Sequence, residues 1–446
     1  MTTASAAEPN YRRATVMMTA TSMLVPLGGL VTAPVLAQGL GPDGRGELAA
    51  ILAPGSLMLG FAAMGLPHAL TFFVAKRPSI TRRALTWASA ATASVAALCI
   101  LPIWWALPFL SAGDEDLARL ILLASIWNVP ALVVGVMRGA AAGRQMWGTI
   151  AWERIVLTTL RVAALFALLI ADRLTVETAV IVTVGMPILS GVVYARLFAR
   201  PLQGHDQPTD DPRVVAPLFR YGSAVWFGSI ASMTIGRLAS LLMLPLSDAE
   251  ALGLYTVATT IADVPIIVAI AIQSTLFGVS SKSTDPGRVT LTARLTLIFG
   301  FAGCLMLGAT LPWWIGPLFG EDFVVATVPT LMLLVSALIL VPGLMASSGL
   351  GAWGRPALRS VAEVASLVVR IASFVLLVPA FGVYGAAWSA IIGTVTMTAV
   401  SVTIASRVMG VRPREFLMPG RSDVARAWSE VRLIVTRVTS RLTRRG

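Results

Sequence analysis

The chain has 446 residues, 56% of them hydrophobic and 13% charged, with a formal net charge of +12 and a mean hydropathy of +0.81. A soluble domain carries about 25% charged residues, so this composition excludes a soluble globular protein and requires one built into a membrane. Two cysteines (Cys99, Cys304) and two histidines (His68, His205) exclude a disulfide scaffold and fit no zinc spacing.

A spanning helix takes about 20 apolar residues. Twelve such segments follow one another along the chain: 14–37, 48–74, 84–110, 117–138, 149–171, 176–198, 217–246, 252–279, 290–315, 324–350, 358–380 and 383–407. The first two contain Pro26, Gly28, Gly29, Pro34, Pro54, Gly65 and Pro67. Such residues permit bending where neighbours satisfy the freed backbone groups, and they also let helices pack closely. His68, near the inner end of the second segment, reads as a packing residue. Cys99 and Cys304 lie inside apolar segments and read as small core residues.

Basic residues fix the expected topology. With the N-terminus in the cytoplasm, 27 of the 34 basic residues fall on the cytoplasmic side. Only Arg45, Arg119 and Arg173 fall outside, where Asp43, Glu47, Asp114, Glu115, Asp116, Asp248, Glu250, Glu321 and Asp322 also lie. Both termini are therefore expected in the cytoplasm of a multi-pass protein of the inner membrane, with the first segment an uncleaved anchor. The basic excess follows this sidedness, which argues against nucleic-acid binding.

The chain repeats itself. Trp104-Trp105 and Pro108 recur as Trp313-Trp314 and Pro317, and Arg161-Val-Ala-Ala recurs as Arg370-Ile-Ala-Ser, both 209 residues on. Gly143-Arg144 pairs with Gly354-Arg355 if two residues are gapped. The polar stretch 199–216 then separates two lobes, residues 1–198 and 217–407, of six spans each. An even number of spans makes the repeat parallel. The expected fold is an all-α polytopic membrane protein of about 12 transmembrane helices, two parallel six-helix lobes around a central cavity.

Residues 408–446 form a basic tail. Val424, Trp428, Val431, Val435, Val438 and Leu442 share one helical face, with Arg421, Arg426, Arg432, Arg437, Arg441, Arg444 and Arg445 around it. This pattern predicts an amphipathic helix on anionic lipid, or else a solvated tail that helps set topology.

No catalytic set is visible: there is no G-x-x-x-x-G-K-[ST], no H-E-x-x-H and no C-x-x-C. No enzyme activity, cofactor or metal is expected. What remains is charge within apolar segments. Arg154, Arg161, Arg237 and Arg370 would each cost about 2.5–3.5 kcal/mol at a bilayer centre if unpaired. Three acids, Glu153, Asp263 and Glu363, are available as structural partners or as sites for a coupling cation. Three cannot neutralise four, so a cavity lined by these arginines stays cationic and suits an anionic ligand such as phosphate. Each arginine also has a structural reading, as a tie between helices.

Several motifs carry a resemblance. Leu40-Gly41-Pro42-Asp43-Gly44-Arg45-Gly46-Glu47-Leu48, Leu252-Gly253-Leu254-Tyr255-Thr256-Val257-Ala258 and Gly382-Val383-Tyr384-Gly385-Ala386-Ala387 resemble segments of bacterial polysaccharide-biosynthesis flippases. Gly143-Arg144 and Arg173-Leu174-Thr175-Val176-Glu177 resemble them too, and the likeness covers residues 10–410. The superfamily includes lipid-linked oligosaccharide flippases, the lipid II flippase and multidrug antiporters. The resemblance implies a V-shaped bundle of two lobes working by alternating access, with an arginine-lined lumen. The antiporters tend to hold an acid in the first span, and this chain has none there. The expected function is movement of a polyprenyl-pyrophosphate-linked oligosaccharide across the cytoplasmic membrane. The alternative is a cation-coupled exporter of a small molecule or secondary metabolite. Expected partners are the lipid-linked anionic glycan, anionic lipid at the tail and polysaccharide-assembly enzymes.

Overall fold

The computed structural model describes residues 7–194, 215–280 and 285–420 together with Asp423. Among the described residues the secondary structure is helical throughout. The helices are α1 (Ala7–Ala63), α2 (Leu66–Lys76), α3 (Thr81–Leu110), α4 (Glu115–Gly143), α5 (Trp147–Ile170), α6 (Val176–Ser190), α7 (Val215–Leu246), α8 (Ala249–Ser280), α9 (Pro286–Phe319), α10 (Thr327–Ala352), α11 (Pro356–Met409) and the short α12 (Arg414–Leu417).

Among the described residues eight helices are long and apolar enough to cross a membrane. Two of these stretches, Met23–Lys76 and Ala357–Met409, are double length. Each is broken by one glycine: Gly41 (φ 66°, ψ −178°) in α1 and Gly382 (φ 50°, ψ −125°) in α11. Both glycines take a backbone conformation that L side chains rarely adopt, so each long helix is two crossings joined at a hinge. α5 falls outside the eight because it carries Glu153, Arg154 and Arg161, and α7 is 32 residues long. Twelve crossings result, at the positions expected from hydropathy.

Local chemistry explains the ends. Asp114 caps α4 by accepting from Leu117 N at 3.0 Å, and Thr175 and Thr178 form a reciprocal box at the start of α6. The second crossing breaks again at Met64 and Gly65, both at positive φ, with Pro67 opening α2. His68 is exposed on α2 instead of packed, on the face opposite the buried Leu66, Ala69, Leu70 and Val74.

The ends of α4 and α10 close with one backbone hydrogen-bond pattern, which also closes α3 and α5. At the end of α4, Arg144, Gln145 and Met146 N–H donate to Ala140, Ala142 and Ala141 O. At the end of α10, Trp353, Gly354 and Arg355 N–H donate to Gly349, Gly351 and Leu350 O. The two Schellman caps are 209 residues apart without a gap. Gln145 (φ 57°) is therefore the counterpart of Gly354 (φ 71°), and the gapped match of Gly143 with Gly354 is corrected. Conformation was conserved here where residue identity was not.

Packing gathers the chain into two units. The first holds residues 1–256 and 318–322, the second 257–317 and 323–446. In the first, α1 packs on α4, α5 and α7, and α2 and α3 pack on α4. Leu66, Leu70, Val74, Leu85, Val136 and Leu218 form one buried cluster at its core. The joint between the first two crossings fits against the start of α8: a side chain at Gly46 would strike Ala249 O, and one at Gly253 would strike Pro42 O. In the second unit, α10 packs along α11. Small hydroxyls tie them, Ser336 to Thr394 at 2.9 Å, Ser347 to Ser401 at 3.1 Å, and Thr398 Oγ1 to Ile339 O at 2.8 Å. Close contact through small residues is how helices associate without a hydrophobic drive between them.

After α11 the chain turns at Gly410 and seats Phe416, fully buried, among Val289, Ala293, Leu350 and Met409. Arg294 Nε donates to Asp423 Oδ2 at 2.7 Å and Arg294 Nη1 to Glu415 O at 2.9 Å. Asp423 is thus held on α9. The rest of the expected amphipathic tail helix, and nearly all of the linker 199–216, lie outside the described residues.

Candidate substrate site

The charged residues of the apolar segments sort by unit. In the first, Glu153 on α5 is fully buried. Its carboxylate accepts Arg138 Nη2 at 2.8 Å and Nε at 3.2 Å, and Ser190 Oγ and Tyr194 Oη each approach it at 3.4 Å. The turn between α4 and α5 brings residues 138 and 153 opposite one another. Glu153 therefore joins α4, α5 and the end of α6, and its charge is matched by Arg138. Sequence spacing did not single out Arg138, Ser190 or Tyr194, because the contact forms only when three helices meet.

Arg154 and Arg161 share one face of α5, about 10 Å apart along its axis. Arg154 Nη1 and Arg161 Nε are buried and make no hydrogen bond. Among the described residues no carboxylate lies within ion-pair distance of either. Arg154 feels both the like charge of Arg138 and the opposite charge of Glu153 beside it.

α5 runs alongside the first crossing. A Cβ at Gly28 would meet the Thr158 side chain, and one at Gly39 would meet Leu169 and Leu174. Equal steps of eleven residues on both helices mean that they run parallel and in register. Just past the Gly41 hinge, Asp43 and Glu47 are one helical turn apart and share a face, while Arg45 lies about 200° round. Burial, and then the charges of Asp114 and Asp43, push the Glu47 carboxyl above its ordinary range. The Arg45 Nε is buried without a hydrogen bond.

Arg237 on α7 is exposed and has a partner. In the second unit Asp263 on α8 is likewise exposed and partnered. Glu363 is 2% exposed; Arg359 Nε donates to its Oε1 at 2.9 Å, four residues back on the same helix, and its Oε2 is buried without a hydrogen bond. The stem of Arg370 lies over Gly393, whose missing side chain leaves room for it, next to the bond from Ser366 Oγ to Gly393 O. Two of the three acids are thus engaged by Arg138 and Arg359, which stand nearer the helix ends than the arginines expected to need them.

The family described as "Polysaccharide biosynthesis protein" matches residues 12–284. No curated protein matches the chain. Several solved structures share its fold at low identity. One is the inward-facing form of a multidrug resistance MATE family transporter of the MOP superfamily: TM-score 0.70, 14% identity, 89% of this chain and 98% of that one. Another is the lipid II flippase MurJ in an inward closed conformation: TM-score 0.69, 11% identity, 90% of this chain and 89% of that one. A MOP superfamily transporter from Pyrococcus furiosus, described by the reverse polarity of its binding pocket, gives TM-score 0.58 at 12% identity, over 89% of this chain and 95% of that one.

Proposed function

Because the chain belongs to the polysaccharide biosynthesis protein family, we propose that it is a flippase for a polyprenyl-pyrophosphate-linked oligosaccharide. It is a multi-pass membrane protein, and in this reading it works in the cytoplasmic membrane with both termini in the cytoplasm. Two lobes of six spans, residues 1–198 and 217–407, alternate in access around the substrate. The protein catalyses no covalent step; it lowers the barrier to moving a charged head group through an apolar layer.

One observation carries the proposal: Arg154 and Arg161 each present a buried, unbonded guanidinium nitrogen along one face of a spanning helix, with no carboxylate in ion-pair distance among the described residues. Each such charge costs about 2.5–3.5 kcal/mol in mid-membrane. A pyrophosphate offset by these residues meets bidentate donors that stay charged at any working pH. Arg237 and Arg370 are assigned to the same substrate path. The tail beyond Asp423 is assigned to anionic lipid, and contact with polysaccharide-assembly enzymes completes the expected partners.

The test is translocation of a fluorescent polyprenyl-pyrophosphate oligosaccharide in proteoliposomes. Arg161→Ala and Arg370→Ala, at normal expression, are each expected to lower the rate at least tenfold; full activity in both would refute the assignment. A second reading, cation-coupled export of a small molecule, is favoured by the buried, unbonded Oε2 of Glu363, an acceptor open to a coupling cation. Small-molecule transport that depends on an ion gradient and is lost in Glu363→Gln, with no movement of the lipid-linked probe, would select it.

A further inference from the structure

A groove of about 330 Å³ runs between α4 and α6 in the first unit, and none of the arginines of α5 lines it. Two stripes of side chains do. On α4, Asp116, Arg119, Leu123 and Trp127 follow at steps of three and four, so they share one face. On α6, Glu177, Val180, Ile181 and Val184 repeat the pattern. Both helices start at the same end of the groove, so each stripe opens with its carboxylate. The groove is charged at that end and apolar along the rest. Its floor is Ala124, Val180 and Val184, all buried, and its rims are Leu123, Trp127 and Ile181, all exposed. Exposed apolar side chains in series along a spanning helix form a surface for acyl chains.

Length and charge together say what fills it. Asp116 and Trp127 lie about 16 Å apart along the helix axis. One leaflet of the hydrocarbon core is about 15 Å deep, half of the whole. The groove therefore has the length of one leaflet, with its polar end at Asp116. Trp127 sits at the deep end, away from the interface where tryptophan usually settles, and walls the groove there. At the polar end Asp116, Arg119 and Glu177 have no ion-pair or side-chain hydrogen-bond partner among the described residues. Two carboxylates beside one guanidinium complement a head group that carries both an ammonium and a phosphate. We propose that this groove binds a phospholipid of the phosphatidylethanolamine type, as a bound component and not as cargo. One acyl chain lies along Leu123, Trp127 and Ile181, the phosphate meets Arg119, and the ammonium is shared by Asp116 and Glu177. Guanidinium takes phosphate oxygens bidentately, and charged donors and acceptors make the stronger hydrogen bonds. A lipid with the phosphate alone would satisfy Arg119 and set its negative charge beside two carboxylates. On the topology expected from charge, the leaflet is the outer one. The inference goes beyond the flippase reading and does not depend on what the chain transports.

The experiment uses the purified full-length protein in detergent, with dioleoyl phosphatidylethanolamine and dioleoyl phosphatidylglycerol as probes. Native mass spectrometry reads the affinity for each. The wild type is expected to prefer the ethanolamine lipid about tenfold, since charge complementarity sets partner choice. Asp116→Asn combined with Glu177→Gln should remove the preference. Asp116→Lys combined with Glu177→Lys should reverse it in favour of the glycerol lipid. Arg119→Gln should weaken both lipids about tenfold through the lost phosphate contact. Trp127→Ala removes apolar wall and no charge, so it should weaken both lipids and leave their ratio unchanged. The preference compares two lipids on one folded protein, so altered folding stability does not imitate its loss or reversal. No preference in the wild type, or the same preference in the Asn and Gln double variant, would overturn the site. Undiminished binding in Trp127→Ala would put the lipid outside the groove and overturn it as well. Transport of the lipid-linked glycan is scored separately, and its absence would remove the flippase reading while the lipid site stood.

Discussion

At the scale of single residues, the outcome for each charge depends on what its neighbours leave to it. Glu153 and Arg154 are adjacent in sequence and have opposite environments. Glu153 points between α4 and α6 and receives Arg138, Ser190 and Tyr194; Arg154 receives no carboxylate. Removing one member of a buried pair leaves the other uncompensated and costs about 3–5 kcal/mol. The Arg138 side chain is 36% exposed, so water relieves part of that penalty. Glu153→Ala is therefore expected to destabilise by about 2–3 kcal/mol. Arg138→Met combined with Glu153→Leu should recover most of the loss. Denaturation of the purified variants checks both. A double variant as weak as the single one would mean that Ser190 and Tyr194, and not the ion pair, set the cost.

At the scale of helices, glycine decides where segments hinge and where they touch. Gly41 and Gly382 lie inside helices that would otherwise run through two crossings without interruption. Gly46 and Gly253 serve a different end, bringing two backbones together where any side chain would collide with a carbonyl. Both belong to sequence motifs that carry the family resemblance, so part of that likeness has a plain steric cause. Gly46→Ala and Gly253→Ala must each displace backbone, with an overpacking cost of about 1–3 kcal/mol. We expect each to lower the unfolding temperature while Gly29→Ala, where a Cβ would meet nothing, leaves it unchanged. Equal behaviour of the three variants would contradict the contact. The gap-free 209-residue match of the α4 and α10 caps belongs to the same scale. A backbone hydrogen-bond pattern outlasted the residues that first made it, and Gln145 now occupies a conformation that its counterpart Gly354 adopts freely.

At the scale of the whole molecule, the basic tail is tied to the membrane-spanning helices of the second unit at Phe416 and at Asp423. Asp423 is held by Arg294 and by Gly420 N–H at 2.8 Å, with the Asp423 side chain 6% exposed and that of Arg294 19%. Cutting before or after this residue should therefore have different effects. Deletion of 424–446 is expected to leave thermal stability unchanged and to weaken binding to anionic vesicles. Deletion of 421–446 removes Asp423 as well, strands Arg294, and should cost about 3 kcal/mol in addition. Identical unfolding midpoints for the two truncations would show that the pair adds nothing to stability.

The sequence alone determined the class and the number and place of the crossings. Hydropathy needs no partner to be read, and the charge bias acts loop by loop. It also determined that arginines in apolar segments outnumber the acids available to them, a matter of counting. The pairing of those charges was decided only in three dimensions. Arg138 takes Glu153 and Arg359 takes Glu363, because helix turns and the i, i+4 spacing bring them within reach before any mid-span arginine is. The seat of Gly46 against Ala249 could not be read from spacing, since about 200 residues separate them and only the packing of the first unit brings the two backbones together. Composition reports what must be buried; tertiary packing selects which charges are buried side by side.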